Sequence, residues 1–118
     1  MDLSALESGN VRPDVGPRSM RAIMEAIVND AQIVAEHAGK QLRVHRCPRD
    51  VIVRTDPVLL GRILRNLVIN AIEHAASGRG VLLACRRRRD YICLEVWESG
   101  PGIPPEQVKV IFQEFYQP

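Results

Sequence analysis

The chain has 118 residues, of which 46% are hydrophobic and 25% charged, and its formal net charge is +2. This length suits one domain with its own core, and the composition excludes a disordered or fibrous protein. So small a charge does not by itself indicate nucleic-acid binding. No apolar run reaches about 18 residues and the N-terminus lacks a signal-peptide pattern, so we expect a cytoplasmic domain.

Two segments have the period of an amphipathic helix. In 18–39, apolar residues recur three and four positions apart and the pattern ends at a glycine. The segment 57–76 follows Asp56, a good helix cap, and has Pro57 at the first position, where no backbone donor is lost. Residues 1–17 are rich in proline and glycine after a short apolar set, which indicates a helix end followed by a linker.

The apolar residues of the second helix predict a full core-facing stripe. They are Leu60, Ile63, Leu64, Leu67, Val68, Ala71, Ile72 and Ala75.

Short strands are expected around this helix. Residues 42–45 alternate between apolar and polar side chains, and 51–54 are mostly β-branched, so we expect these two strands to pair. Residues 81–97 read as a β-hairpin, for which we predict Arg88 and Arg89 as a two-residue turn.

The hairpin register bears on the three cysteines. It places Cys85 opposite Ile92 and turns Cys85 and Cys93 to opposite faces, which argues against a bond between them. The three cysteines, with Cys47, form no C-x-x-C pair and leave one unmatched. We therefore predict neither a disulfide framework nor a zinc site, but ordinary core or surface thiols.

Two further segments complete the chain. After Pro104-Pro105, apolar residues at helical spacing predict a last helix. These residues are Val108, Ile111, Phe112 and Phe115.

The arginine run 86–89 lies at the predicted hairpin tip without an aromatic platform beside it, so we expect a solvated loop and no nucleic-acid partner.

Glu98, in the stretch EVWESGPGI, is the acid that most needs an explanation. Leu94 and Val96 alternate with Glu95 and Trp97 as in a half-buried strand, and the same parity places Glu98 on the apolar face. An unpaired charge is costly there, so Glu98 is expected to face a partner, a hydrated cavity or a ligand.

Asn66 and Asn70 stand four apart on the second helix, hence one above the other. They could belong to a solvated face, or line a site together with Glu98. Gly100 and Gly102, directly after Glu98, allow close approach of a bound group, although Gly-Pro-Gly also makes ordinary turns. A carboxylate suits an exocyclic amine, and an amide oxygen suits a hard cation such as Mg²⁺.

Three motifs in this order resemble a known family. RILRNLVINAIEHA is similar to the N box of sensor histidine kinases, ESGPGI to their first glycine box, and IFQEFYQ to their F box. In their order and spacing, the motifs resemble the ATP-binding catalytic domain of these enzymes. That domain belongs to the GHKL, or Bergerat-fold, ATPase superfamily. The leading LSALESGNV resembles the tail of the dimerisation helix that precedes this domain.

The resemblance implies a role for each matching position. Asn70 would hold the magnesium ion that bridges the ATP phosphates, and Asn66 would line the same site. Glu98 would accept a hydrogen bond from the adenine amino group, with Gly100 and Gly102 shaping the adenine pocket.

The resemblance also extends to the segment after the glycines. Ile103 and Phe112 would contribute to the nucleotide site, and Phe112 and Phe115 would pack the start of the lid, unless they simply anchor the core.

Several positions depart from the family pattern. Glu98 stands where the family usually has aspartate, Glu73 where it often has lysine, and His74 where it often has tyrosine. The sequence ends at FYQP before a second glycine-rich box, and its histidines, His37 and His45 among them, lack the context of a phosphoacceptor.

We therefore expect an α/β two-layer sandwich, with helices on one face of a mixed, mostly antiparallel sheet and the C-terminal part of the fold missing. Residues 1–17 would be the end of the dimerisation helix and a linker, and 18–118 a truncated ATP-binding domain. An exposed sheet edge would favour self-association.

The resemblance implies that the parent protein transfers the γ-phosphoryl of ATP to a histidine. Its partners would be its own dimerisation domain and a response regulator receiver domain, and the parent could be membrane-anchored. The alternative is a catalytically inactive nucleotide-binding or partner-interaction module, with the fragment alone inactive in either case.

Overall fold

The computed structural model describes residues 12–47, 49–75, 80–100 and 103–113, of which 99, 100 and 103–113 are described by their backbone alone. Within these ranges, six strands and two helices follow one another. They are β1 (Gly16–Ser19), α1 (Met20–Ala38), β2 (Gln41–His45), β3 (Ile52–Thr55), α2 (Pro57–His74), β4 (Gly80–Arg88), β5 (Tyr91–Gly100) and β6 (Ile103–Gln113).

The strands form one mixed sheet and one separate pair. In the sheet, the order is β2-β4-β5-β6, with β2 and β4 parallel and the other neighbours antiparallel. β1 and β3 pair antiparallel beside it. Both helices pack on one face of the sheet, which confirms the predicted α/β two-layer sandwich.

The core lies between the helices and this face. From α1 it takes residues such as Met24 and Ile27, and from α2 Leu64 and Ile72, all almost fully buried. The sheet contributes residues of one parity from its two central strands, since alternate side chains of a strand share a face. These residues are Val81, Leu83, Cys85, Ile92, Leu94 and Val96.

Ile63 is the exception in the predicted stripe of α2. Its side chain is 47% exposed, whereas Leu64 beside it is fully buried. A helix packs only one side against a sheet, so an apolar residue at the margin of its stripe remains half-exposed.

The helix ends follow the predicted capping. Ser19 Oγ accepts a hydrogen bond from Ala22 N at 3.1 Å, and α1 stops at Gly39, whose φ of 68° is the left-handed conformation that glycine adopts without cost. At α2, Asp56 Oδ1 accepts from Val58 N and Leu59 N at 2.9 and 3.1 Å, and the predicted cap is confirmed.

Asp56 has a second role, which gives a pH-dependent prediction. Its Oδ2 accepts from Asp14 N at 2.7 Å, and this bond with those of Leu59 and Val58 lowers the pKa of Asp56. A carboxylate with a lowered folded-state pKa stabilises the fold above its unfolded pKa and loses that contribution as the pH falls through its folded pKa. We expect Asp56→Asn, which can still cap, to reduce the loss of stability below pH ~4.

The measurement is the urea midpoint of wild type and Asp56→Asn between pH 6 and pH 3. The two curves should approach each other as the pH falls. Parallel curves would contradict a titrating cap at this position.

The strand pairing predicted for 42–45 and 51–54 is wrong. β2 pairs with β4, with Leu42 opposite Val81, and β3 pairs with β1, with Val53 opposite Arg18. The two strands are joined by a short loop but belong to different ladders. Each of the two strands pairs with a segment that is not its neighbour in sequence, so adjacency does not decide the pairing.

The predicted hairpin turn is also displaced. Arg89 and Asp90 form the turn instead of Arg88 and Arg89, with Arg89 at φ 55°. Cys85 therefore lies opposite Leu94 and not Ile92. The register shifts by two residues, which leaves every side chain on the predicted face.

The last predicted helix is a strand. β6 pairs antiparallel with β5, with Val96 opposite Val108 and Ile92 opposite Phe112. The apolar residues of this segment fit an alternating pattern, through Val108, Val110 and Phe112, as well as a helical one. The edge of β5 offers backbone hydrogen-bond partners for such a strand. Phe115 lies outside the described residues.

The prediction of ordinary thiols is wrong for two of the three cysteines. Cys47 and Cys85 form a disulfide, with Cα atoms 5.1 Å apart, and Cys93 is a buried thiol whose Sγ donates to Glu95 Oε2 at 3.7 Å. The opposite orientation of Cys85 and Cys93 is confirmed by the register. The sequence spacing was uninformative because the parallel pairing of β2 with β4, with His45 opposite Ala84, brings the two cysteines together.

Glu95 is buried, although the alternation in β5 suggested a half-exposed strand. Its side chain is 5% exposed, and residues 92–96 are buried on both faces. Arg86 Nε donates to Glu95 Oε1 at 2.8 Å, and Trp97 Nε1 donates to the same oxygen at 3.0 Å. These hydrogen bonds offset the free-energy cost of removing the Glu95 carboxylate from water.

Within the described part of the chain, neither helix combines the length and the apolar character needed to cross a membrane.

Candidate functional site

Asn66 and Asn70 lie on an exposed face of α2, away from the buried side that carries Leu64 and Val68. Their spacing of four residues places both amides on this face, next to the half-exposed Ile63. The structure therefore brings the two asparagines together on one surface, as predicted. A pair of free amides there can offer oxygens to a ligand or a cation.

The C-terminal end of α2 is held by contacts that the sequence did not suggest. Lys40 Nζ donates to the carbonyl oxygens of Ile72 at 2.6 Å and Glu73 at 3.1 Å. His74 Nδ1 lies 2.7 Å from the carbonyl oxygen of Asn70, to which it donates. A cation at the last turn also interacts favourably with the helix dipole, so Lys40 fixes the turn that follows Asn70.

Glu98 lies near the end of β5 and is partly buried. It stands opposite Val81 of β4, and directly opposed residues of an antiparallel pair share a face. Because Val81 belongs to the core beneath the helices, the Glu98 side chain points to the helix side, as the parity predicted. Its carboxylate is thus placed at the margin of the core and not within it.

The backbone after Glu98 is irregular. The β5–β6 ladder has a register shift between Glu98 and Gly100, and Gly100 pairs with Ile103. Such a bulge ends regular pairing and changes the direction of the strand. Gly102 lies outside the described residues, and Phe112 lies on β6, opposite Ile92.

Asn66 and Asn70 can offer amide oxygens to a metal ion. No group of three or more His, Cys, Asp or Glu side chains in the described ranges is arranged to hold a metal. Mg²⁺ fits this setting, because it keeps several waters and is often bound through one or two protein oxygens plus substrate phosphates. The exposed amide of Asn70 can supply such an oxygen.

An open groove between the helices is a separate feature. Ala26 and Ile27 of α1 and Val58 and Gly61 of α2 line it, among others. Asn66, Asn70 and Glu98 do not line this groove. The predicted positions Asn66 and Asn70 lie instead on the exposed face of α2, and Glu98 lies near the end of β5.

Comparison with known proteins defines the family. Residues 55–118 match the family model of histidine kinase-, DNA gyrase B- and HSP90-like ATPases. The chain belongs to this ATPase family, and the match begins just before α2 and includes every predicted site residue.

The relatives are sensor histidine kinases. The sensor protein QseC of Salmonella typhi is 32% identical over 118 residues, which is all of this chain and 25% of that protein. The chain thus spans about a quarter of the length of that relative. The motifs that resemble sensor histidine kinases thus occur in a chain whose curated relatives are sensor histidine kinases.

Solved structures support the same fold. A histidine kinase from Burkholderia phymatum has a TM-score of 0.70 at 21% identity, covering 87% of this chain and 51% of that one. The histidine kinase ThkA, solved in complex with the response regulator protein TrrA, has a TM-score of 0.67 at 20% identity, covering 76% of this chain and 27% of that one.

Proposed function

We propose that this domain binds Mg-ATP and, in its parent protein, supplies the γ-phosphoryl group that is transferred to a histidine. The observation that carries the proposal is the pair Asn66 and Asn70 on one exposed face of α2, in an ATPase-family chain whose Glu98 points to the helix side of the sheet. In such transfers the protein acts mainly by positioning and by electrostatic stabilisation.

Each residue has a role in this proposal. Glu98 accepts a hydrogen bond from the exocyclic amine of adenine, and Gly100 and Gly102 leave room for the flat base. Asn70 offers its amide oxygen to Mg²⁺, and Asn66, one turn earlier, lines the same phosphate region. When bound, Mg²⁺ neutralises part of the phosphate charge.

Ile103 is proposed to contribute to the nucleotide site from the strand after the glycines, and Phe112 was predicted to contribute from the same strand. Ile103 follows Gly102 directly, and the backbone of Phe112 lies at the far end of β6. Phe112 is the more distant of the two, because it lies opposite Ile92, at the end of β5 away from Gly100.

The acceptor histidine is proposed to lie in a dimerisation domain of the same parent protein. His37 and His45 are exposed on α1 and β2, and His74 is engaged with the backbone of Asn70. Residues 1–17 would be the end of the dimerisation helix and a linker, and 18–118 the ATP-binding domain, with β1 (Gly16–Ser19) crossing this boundary. By itself, the chain is expected to bind nucleotide without phosphotransfer.

The further partners follow from the same assignment. A response regulator receiver domain would take the phosphoryl group from the histidine, and self-association through a sheet edge remains a prediction. We propose a cytoplasmic location because ATP is a cytoplasmic substrate.

Thermal unfolding with and without ATP tests the nucleotide site. A ligand that binds only the folded state stabilises it by RT ln(1 + [L]/Kd), about 2.7 kcal/mol when the ligand is at about a hundred times Kd. We expect millimolar ATP with Mg²⁺ to raise the Tm of the wild type by several degrees. Glu98→Ala should lose this rise, measured against its own Tm without ligand.

Two further variants make the test specific. Asn70→Ala should lose the magnesium-dependent part of the rise, and alanine in a helix does not weaken the helix itself. Glu36→Ala, an exposed glutamate of α1, should keep the full rise. A folded wild type without any rise would overturn the proposal and leave a partner-interaction module as the description.

A further inference from the structure

The disulfide between Cys47 and Cys85 joins the loop after β2 to the middle of β4. Cys85 is 1% exposed and belongs to the core, whereas Cys47, in the loop, is 9% exposed. The bond spans 38 residues of sequence. A cross-link of this kind is uncommon in a reducing compartment, and where one occurs it is usually transient or redox-sensing.

The loop that carries Cys47 is attached to the start of α1 by bonds that do not involve sulfur. Arg46 forms a two-pronged ion pair with Glu25, and its second contact, from a terminal guanidinium nitrogen to Oε2, is 3.2 Å. Ser19 Oγ donates to Asp50 Oδ1 at 2.8 Å. These contacts hold the loop to the start of α1 independently of the disulfide.

The surroundings favour thiol chemistry at Cys47. Arg21, Arg46 and Arg49 line a small cavity that Cys47 and Cys85 also line. Guanidinium groups stabilise a thiolate, which is the nucleophilic form of cysteine. Cys47 is the more exposed of the pair, so it is the residue that a small external thiol or disulfide can reach first.

We propose that Cys47 and Cys85 are a reversible redox site whose state sets the thermal stability of this domain. In the oxidising direction, the Cys47 thiolate attacks oxidised glutathione, forms a mixed disulfide and releases one glutathione thiolate. The Cys85 thiolate then attacks the Cys47 sulfur, closes the disulfide and releases the second glutathione. Two electrons pass to glutathione, both cysteine protons go to solvent or to the released thiolates, and reduction reverses each step.

Opening the bond removes the covalent tie between the loop and β4 while the bonds of Arg46 and Asp50 persist. The reduced domain therefore stays folded but is less stable. Cys93 takes no part, because it lies on the other face of the sheet, opposite Arg86.

The test is to equilibrate the native chain in glutathione buffers from reducing to oxidising, quench with acid, and alkylate in denaturant. Mass spectrometry should count three alkylated cysteines on the reducing side and one on the oxidising side. The transition should follow the square of the reduced glutathione concentration, since two thiols enter per disulfide. The Tm should be higher on the oxidised side by roughly 10 °C.

Two variants assign the bond. Cys93→Ser should keep the transition, now from two alkylated cysteines to none, and Cys47→Ser should abolish both the transition and the Tm difference. The proposal is overturned if three cysteines react at every ratio, or if the disulfide persists in the most reducing native buffer. A transition without a change in Tm, or one lost in Cys93→Ser, overturns it equally.

Discussion

Replacing Leu64 by alanine should lower the free energy of unfolding by about 3–4 kcal/mol. Leu64 is fully buried on the side of α2 that faces the sheet, where it packs in one cluster with Ile72 and Leu83. Truncation removes the transfer free energy of the lost atoms and leaves a cavity that this two-layer core closes only in part. Urea denaturation with an unchanged m-value measures the effect.

Ile63 is the matched control for Leu64, because it is the preceding residue of the same helix and is 47% exposed. Ile63→Ala should cost less than about 1 kcal/mol, since most of its apolar surface stays in contact with water and alanine favours the helix. Equal losses in the two variants would mean that α2 is rotated about its axis.

The rotation of α2 matters beyond stability. Asn66 and Asn70 are exposed only because the side with Leu64 and Val68 is buried. A helix turned by one residue, about 100°, would carry the two amides toward the margin of the core. The pair of core variants therefore also tests the geometry on which the proposed nucleotide site depends.

Local signals predicted the helices well. The apolar period located α1 and α2, and Asp56-Pro57 and Gly39 gave their ends, because caps act on neighbouring backbone groups. The chain belongs to the predicted family, and the two asparagines share an exposed face as their spacing requires. These features depend on interactions within a few residues along the chain.

Features decided by distant segments were not predicted. The partner of β2 is β4, the loop after β2 brings Cys47 to Cys85, and β6 takes the edge of β5. Each depends on which surface is available after the core has formed. The segment 103–113 fits both a helical and an alternating pattern, so periodicity alone could not decide its structure.

Arg86, in the arginine run 86–89, also has a partner that the sequence did not predict. Arg86 and Glu95 lie on the sheet face away from the core cluster, and the observed register places Cys93 opposite Arg86. Glu95 is then the diagonal neighbour of Arg86, within reach of its guanidinium group. From the sequence, all four arginines looked like a solvated tip, yet Arg86 is bonded to a buried acid.

Arg86→Met should therefore lower the free energy of unfolding by about 3 kcal/mol. Removing one partner of a buried ion pair costs about 3–5 kcal/mol, because the remaining charge is left without compensation. The expected cost lies at the lower end, since Arg86 is one-third exposed and Trp97 Nε1 still donates to Glu95. Arg88→Met, at an exposed position of the same run, should change stability by less than about 0.5 kcal/mol.

A double-mutant cycle separates the pair from its surroundings. If the cost of Arg86→Met comes from the stranded carboxylate, then Arg86→Met combined with Glu95→Leu should be more stable than Arg86→Met alone, because the buried charge is gone. A double variant that loses the sum of both single costs would show that the two side chains stabilise the sheet independently. Since Glu95 and Glu98 are on the same strand but on opposite faces, the cycle should leave the ATP-dependent rise in Tm unchanged, which distinguishes the structural acid of β5 from the proposed binding one.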